Sequence, residues 1–390
     1  MLHLSKTAPQ HSHTLALLLE KYHLPPLLNQ KMTIADISIA PHLPGRVLHE
    51  LVTLTPASVD EASRHVRDIL AMAIEHTAER AAIVVWDAHC DLSIALAEAY
   101  HRNLPNARFI DFDAVSQNDI LAAFETLAPS DLVVLVQSTN FRLEAYRIRI
   151  ELFKRELKVI EHPHLARMPG EESLHYIESL AYDPGYFRDV GNALKARIDR
   201  AHFGVVDSGG ERLVFGSPFE AAKLNIGDYS QMKNVGGQFP IGEVFTEAQN
   251  LEAVNGKVRI FVFGDTKFAV NKPEQPITLV VHKGRVTDVE NSTPEFDQVL
   301  ANIRADEGEV WLRELGFGMN RAFSKDRLVS DIGTYERMCG IHLSLGAKHG
   351  VYTKPNFRRA DARHHVDVFA VTEAVYLDDD VVYKDGTWTI

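Results

Sequence analysis

The sequence is poor in cysteine and has no long apolar run. Only two of its 390 residues are cysteines, Cys90 and Cys339, and they are far apart with no Cys-x-x-Cys spacing. This excludes a disulfide framework and a zinc ribbon, and it fits a reducing compartment. No apolar run approaches the roughly 18 residues of a membrane span, and no basic region leads into an apolar segment at the N-terminus. We therefore predict a cytoplasmic protein with no signal peptide and no membrane partner.

Positive charge is also scarce. The chain has 41 Lys and Arg against 53 Asp and Glu, a formal net charge of -12. Such a balance disfavours a general nucleic-acid partner. No glycine-rich phosphate loop follows any predicted strand, so the sequence does not indicate a nucleotide site.

The predicted secondary structure changes character near residue 200. Before that point, apolar strands alternate with helices, which is typical of a parallel α/β layer. The predicted strands cover 81–85, 109–112, 131–137 and 158–161, and the predicted helices cover 13–22, 58–79, 92–100, 119–127 and 141–157. Beyond it, hairpin signals dominate, beginning with Asp207-Ser-Gly-Gly210.

The predicted fold class follows from this change. We expect an α/β supporting domain with a parallel sheet over residues 1–198, and an α+β, antiparallel-rich catalytic domain over residues 199–390. A chain of this length is expected to form two domains, each able to bury its own core.

Imidazole and carboxylate groups gather on short apolar segments of the second half. His365 and Asp367 are two apart in a β-favouring run, so their side chains are expected on one face of a strand. His342, Glu314 and Glu243 lie in three further apolar runs, where an unpaired charge would cost several kcal/mol. This mixed nitrogen and oxygen set suits Zn, Mn, Co or Fe rather than a thiolate site. Five ligands exceed the needs of one tetrahedral ion, which indicates two neighbouring metals, as in many hydrolases.

The same segments resemble, in order and approximate spacing, the aminopeptidase T and aminopeptidase S family of metallo-aminopeptidases. Three stretches carry the resemblance besides His365-Val-Asp367: Asn234-Val-Gly-Gly-Gln-Phe-Pro-Ile-Gly-Glu243-Val-Phe-Thr with Asn255-Gly256 after it, Glu314-Leu-Gly-Phe-Gly-Met-Asn320, and His342-Leu-Ser-Leu-Gly346. The resemblance implies the metal ligands Glu243, Glu314, His342, His365 and Asp367. It also implies two divalent ions (Zn, Co or Mn), a small peptide or amino-acid amide substrate with a free amino terminus, and a homodimer.

One position departs from the family pattern. The family has a catalytic tyrosine seven residues after its first histidine, and His349 stands there in this chain, with Tyr352 close by. Either side chain is a candidate to donate a hydrogen bond to a developing oxyanion. Glu243 or Glu314 is a candidate to accept the proton of water, so the predicted catalytic residues include Glu314, His349 and Tyr352.

Three alternatives remain open from the sequence. The non-haem iron 2,5-dihydroxypyridine dioxygenases are similar over the same segments, but they carry a histidine at the position of Glu314. A mononuclear iron oxygenase would use Glu314, His365 and Asp367 as a facial set. An amidase for one modified metabolite and a non-catalytic metal-binding protein are the other two.

A second motif, Asp87-Ala-His-Cys-Asp91, resembles the manganese motif of arginase-like ureohydrolases. The chain lacks the Gly-Gly-Asp-His segment that those enzymes need before it. The alternative interpretation is that Asp87 and Asp91 cap the start of a helix, where carboxylates are favoured.

Overall fold

The computed structural model describes residues 54–143, 147–265, 269–355, 357–358 and 360–390. Its first sheet contains two continuous apolar strands, Ala82–Trp86 and Leu132–Val136. Four parallel neighbours lie in the order β2-β1-β3-β4. Their bounds are β1 (Ala82–Trp86), β2 (Arg108–Asp111), β3 (Leu132–Val136) and β4 (Lys158–His162). β3 is buried along its whole length, as expected for a parallel strand covered on both faces.

Helices in the described part accompany both halves of the chain. They are α1 (Pro56–Asp68, continued by a π-helical turn at Ile69–Ala73), α2 (Asp91–Asn103), α3 (Gln117–Glu125), α4 (Ile148–Lys154), α5 (Glu171–Ser179), α6 (Pro184–Ile198), α7 (Pro294–Glu307) and α8 (Ile332–Tyr335). Short 3₁₀ turns occupy Leu165–Arg167 and Leu251–Ala253. No helix of the described residues is both long enough and apolar enough to cross a membrane.

The second sheet is large and antiparallel. Eleven of its fourteen strands lie in the order β19-β18-β17-β5-β6-β10-β16-β15-β14-β9-β7, while β11 and β12 pair with β10, and β13 pairs with β12. The bounds are β5 (Gly204–Ser208), β6 (Glu211–Phe215), β7 (Lys223–Asn225), β9 (Glu243–Glu247), β10 (Val254–Gly264), β11 (Val270–Asn271), β12 (Ile277–His282), β13 (Arg285–Glu290), β14 (Leu312–Gly318), β15 (Gly340–Leu345), β16 (Val366–Ala370), β17 (Ala374–Leu377), β18 (Asp380–Lys384) and β19 (Thr387–Trp388). The predicted combination of a parallel sheet with helices and an antiparallel-rich second half is therefore present.

One short strand of the second half joins the first sheet. β8 (Gly236–Gln238) pairs in parallel with β4 and forms an edge of the parallel sheet. The domain boundary near residue 198 stays a prediction, and the helix predicted at 13–22 lies outside the described residues.

Two predicted helices differ from the observed ones. α1 begins at Pro56 and is capped by Thr55, whose hydroxyl accepts the Ser58 N–H, because proline fits the first helical position. The helix predicted at 141–157 is reduced to α4. Phe141 instead stacks on the Phe112 ring at 4.1 Å, and its N–H donates to the Gln137 side chain.

The Asp87 motif has a structural role at the start of α2. Cys90 is the N-cap, and its sulfur accepts the Ser93 N–H. Asp91 lies in the first turn, where the helix dipole favours a carboxylate. Asp87 is not a cap of this helix, because one of its oxygens accepts both the N–H and the hydroxyl of Ser138, each at 2.9 Å.

A buried histidine joins the parallel sheet to its helices. His162, at the end of β4, is fully buried between Tyr100 and Tyr176, whose hydroxyls lie 2.7 Å from Nε2 and 2.8 Å from Nδ1. Tyr176 donates its own hydrogen to the Phe239 carbonyl oxygen, so it accepts from Nδ1–H, and Nε2 accepts from Tyr100. Both nitrogens are satisfied in the neutral imidazole, and burial lowers the pKa of His162 from 6.5 to about 3.

Because of buried His162, we predict that the protein loses stability in acid. Since the folded pKa lies below the unfolded one, the unfolded chain takes up the proton first as the pH falls below 6.5, and stability decreases toward pH 3. Between pH 7 and pH 5 the loss from this one group is about 2 kcal/mol. We therefore compare the free energy of unfolding, measured by urea titration, in His162→Gln and in the unmodified protein. Between pH 7 and pH 5 we expect it to fall by about 2 kcal/mol less in the variant. Identical pH dependence in both proteins would contradict the assignment.

Candidate metal centre

Four of the five predicted ligands lie on four adjacent antiparallel strands. Glu243 begins β9, Glu314 lies in β14, His342 in β15 and Asp367 in β16, and these strands are consecutive in the sheet. Alternation along each strand therefore brings the side chains to the same region of one sheet face.

Three of these side chains converge on one point. His342 Nε2 lies 3.3 Å from a carboxylate oxygen of Glu243 and 3.3 Å from a carboxylate oxygen of Glu314. One ligand atom from each residue lies within 4.8 Å of the other two, and all three residues are buried. Two carboxylates thus share a single imidazole nitrogen in the protein interior.

Gly316 makes this convergence possible. It lies opposite His342 in the β14–β15 register, and a Cβ atom at this position would lie 2.0 Å from the imidazole ring. The ring therefore crosses β14 over the glycine, between Glu243 and Glu314. Gly316 is the first glycine of the Gly-x-Gly that follows Glu314, and the structure gives this glycine a steric reason.

His365 and Asp367 form a second pair beside this cluster. His365 Nε2 lies 3.1 Å from an Asp367 carboxylate oxygen, as their spacing predicts, although His365 itself precedes β16. His365 Nδ1 lies 3.1 Å from the Lys348 carbonyl oxygen. Burial lowers the pKa of His365, but the Asp367 charge outweighs this and raises it to about 10.

His349 and Tyr352 occupy different surroundings. The His349 side chain is almost fully buried, and its Nε2 lies 2.9 Å from Glu314 Oε2. Its Nδ1 accepts the backbone N–H groups of Val351 and Tyr352 at 3.2 and 3.4 Å, so the neutral ring carries its hydrogen on Nε2. The Tyr352 hydroxyl instead lies 2.8 Å from the Ala221 carbonyl oxygen, to which it donates.

Two further charged residues were not found from the sequence. Glu336 and Arg337 follow α8 and form an ion pair, and Arg337 Nη2 lies 3.6 Å from Glu243 Oε2. Burial, together with the nearby Asp367 charge, raises the pKa of Glu336 well above its usual value. Neither residue lies in an apolar periodic run, so no local pattern marks them.

The pKa shifts of His342 and Glu314 indicate that the cluster favours a positive charge. Burial lowers the pKa of His342, but hydrogen bonds with Glu243 and Glu314 outweigh it and hold the pKa well above the usual value. Burial raises the pKa of Glu314, yet hydrogen bonds from His342 and His349 bring it below the usual range. A proton on His342 therefore supplies the positive charge between the two carboxylates, and a metal cation binding there would replace it.

The donor set fits a divalent metal ion. Nitrogen and carboxylate ligands bind zinc at about 2.0–2.2 Å, which places neighbouring tetrahedral ligands roughly 3.4 Å apart. The separations of 3.3 Å from His342 Nε2 to both carboxylates match this value. The buried trio Glu243, Glu314 and His342 is therefore a candidate metal site.

A cavity of about 600 Å³ opens beside the second pair. His365, Asp367 and Glu336 contribute to its lining, together with Lys348 and Arg363 from the segment before β16. The cavity is large enough for a small peptide or amino-acid derivative.

The sequence matches no protein-family model and no curated protein. Its fold is similar to that of wild-type AmpT from Thermus thermophilus, an aminopeptidase T. The TM-score is 0.52 at 14% sequence identity, and the similarity covers 85% of this chain and 99% of AmpT. At this identity the likeness to AmpT concerns the fold alone.

Proposed function

We propose that this chain is a metal-dependent, aminopeptidase-like hydrolase that cleaves the amide bond of a peptide or aminoacyl substrate. The observation that carries the proposal is the buried convergence of Glu243, Glu314 and His342 in a fold similar to AmpT. Glu243, Glu314, His342, His365 and Asp367 would hold two divalent ions, Zn, Co or Mn. Bound there, the ions would polarise the scissile carbonyl and make water more acidic.

The protein groups around the ions have separate tasks in this proposal. Glu243 and Glu314 would hold the ions, and one of these two carboxylates would accept the proton of the attacking water. His349 presents Nε2–H at the edge of the same cluster, where it would donate to the developing oxyanion. Tyr352 is poorly placed for that task because its hydroxyl donates to Ala221.

The geometry supports the hydrolase over the iron oxygenase. The oxygenase needs Glu314, His365 and Asp367 as its facial set. In the structure, however, Glu314 converges with Glu243 and His342, neither of which belongs to that facial set. The substrate class, the homodimer, the cytoplasmic location and the absence of a nucleic-acid partner remain predictions.

Hydrolysis of a matched substrate pair tests the proposed function. We expect protein incubated with Zn, Co or Mn to release the chromophore from leucine p-nitroanilide, and a chelator to abolish that release. The N-acetylated compound is the control, since it lacks the free amino terminus. Turnover that survives chelation, or oxygen consumption with ferrous iron on an aromatic diol, would contradict the proposal.

Two aromatic substitutions separate the candidate oxyanion donors. We expect His349→Phe to lower kcat by about 100-fold, because one donor to the developing charge is removed. Tyr352→Phe is expected to leave kcat within about twofold, since the lost hydroxyl donates to backbone carbonyl oxygens, those of Ala221 and Phe245. Steady-state kinetics on the metal-loaded variants is the measurement, and the reverse ranking would assign the role to Tyr352.

A further inference from the structure

The candidate donor His349 lies on a loop whose two ends are both bound by one carboxylate, that of Glu307. This loop, residues 346–365, connects β15 to β16, and we call it the His349 loop. Its two ends approach each other, since the N–H of Lys348, the third residue of the loop, donates to the carbonyl oxygen of His364, the last but one, at 3.0 Å. The position of His349 therefore depends on what holds this neck.

Glu307, the last residue of α7, binds both sides of the neck. One carboxylate oxygen accepts the Ala347 N–H at 2.7 Å. The other accepts the N–H groups of Arg363 and His364 at 2.6 and 2.7 Å. One carboxylate thus joins the segment before His349 to the segment before His365.

Arg313 holds the part of the loop that carries His349. Its guanidinium donates to the carbonyl oxygens of Ala347 at 2.6 Å and Tyr352 at 3.2 Å, which bracket His349 in the sequence. The same group makes a bidentate ion pair with Glu247, at 2.7 and 3.1 Å, and both side chains are almost completely buried. Such a buried and fully bonded guanidinium has little freedom to move.

Arg313 and Glu314 are neighbours on β14, where the pairing of this strand with β15 shifts in register. Glu314 lies 2.9 Å from His349 Nε2, while Arg313 donates to the carbonyl oxygens of Ala347 and Tyr352, on either side of His349 in the sequence. A single strand therefore fixes both partners of this contact.

We propose that Glu307 and Arg313 are positioning residues that hold the neck of the His349 loop and thereby place His349 against Glu314. This inference rests on the proposed function for its kinetic consequence. Its structural consequence, the protection of the neck amides, is independent of any activity.

Substitution of Glu307 tests the inference, because this half-buried residue lies outside the core and its variants are expected to fold. Glu307→Ala removes both oxygens that accept the three hydrogen bonds, whereas Glu307→Gln keeps one oxygen and can serve only one side of the neck. Glu309→Gln is the matched control, since Glu309 is half exposed and its carboxylate pairs with the Arg285 side chain.

Amide hydrogen exchange by mass spectrometry provides the first readout. We expect exchange at Ala347, Arg363 and His364 to be at least about tenfold faster in Glu307→Ala than in Glu309→Gln, with a smaller effect in Glu307→Gln. Arg313→Lys keeps a positive charge near Glu247 but loses the several N–H donors of the guanidinium group. We expect it to speed amide exchange around Ala347 and Tyr352. Equal exchange in Glu307→Ala and Glu309→Gln would overturn the proposal.

Kinetics and metal content provide the second readout. We expect Glu307→Ala to lower kcat by about tenfold or more, with KM within about twofold and an unchanged metal content. Faster exchange with unchanged kcat would overturn the positioning role while leaving the hydrolase intact. If the unmodified protein itself hydrolyses no aminoacyl substrate, the proposed function fails, and the exchange data alone then decide whether Glu307 holds the loop.

Discussion

Glu314→Gln is expected to abolish metal-dependent turnover and to remove bound metal. The substitution keeps the size of the side chain but removes the charge that faces His342 at 3.3 Å and His349 at 2.9 Å. Loss of groups that merely support a metal ligand typically costs about 10- to 100-fold in affinity, so loss of a ligand should cost at least about 100-fold. Metal titration by calorimetry and steady-state hydrolysis are the measurements.

Glu309→Gln serves as the matched control for this substitution too, because it also removes one carboxylate charge but lies at the surface. It should bind metal and turn over substrate like the unmodified protein. If Glu314→Gln bound metal as tightly as the unmodified protein, Glu314 would not be a ligand. That result would contradict the proposed metal site.

Gly316→Ala is expected to disable the site by a single methyl group. The new Cβ would lie 2.0 Å from the His342 ring, so the imidazole must leave its place between Glu243 and Glu314. We expect metal affinity to fall by about 100-fold or more, as for loss of a ligand. Overpacking in the sheet should lower the free energy of unfolding by about 1–3 kcal/mol, which leaves a folded protein to measure.

Gly185→Ala is the control for the added methyl group. It lies in the first turn of α6, where the nearest atom to the new Cβ is an Asp183 carboxylate oxygen at 3.3 Å. Metal binding should be unchanged in this variant. Tight metal binding by Gly316→Ala would mean that His342 does not need its present orientation to act as a ligand.

The strands that carry the proposed ligands could be predicted from the sequence because each one is a short apolar run. Glu314, His342 and Asp367 all lie in observed strands, and the His-x-Asp spacing correctly placed His365 beside Asp367. The side-by-side order of β9, β14, β15 and β16 came only from the structure. A run of apolar residues shows that a strand is buried but does not identify its neighbours.

The residues that the sequence did not reveal act through long-range contacts. Glu336 and Arg337 follow a four-residue helix and reach the site only because that segment packs against Glu243 and Asp367. Glu307 binds amides 40 or more positions away along the chain. Local periodicity contains no information on such contacts, whereas the short His-x-Asp motif is local and was therefore predictable.

Metal content per chain tests the central claim most directly. Elemental analysis of protein purified without added metal or chelator should find about two Zn, Co or Mn ions per chain. The same measurement on Glu314→Gln should find a clear deficit. About one iron per chain would indicate the oxygenase instead. No bound metal in the unmodified protein, even after incubation with Zn, Co or Mn, would contradict the account.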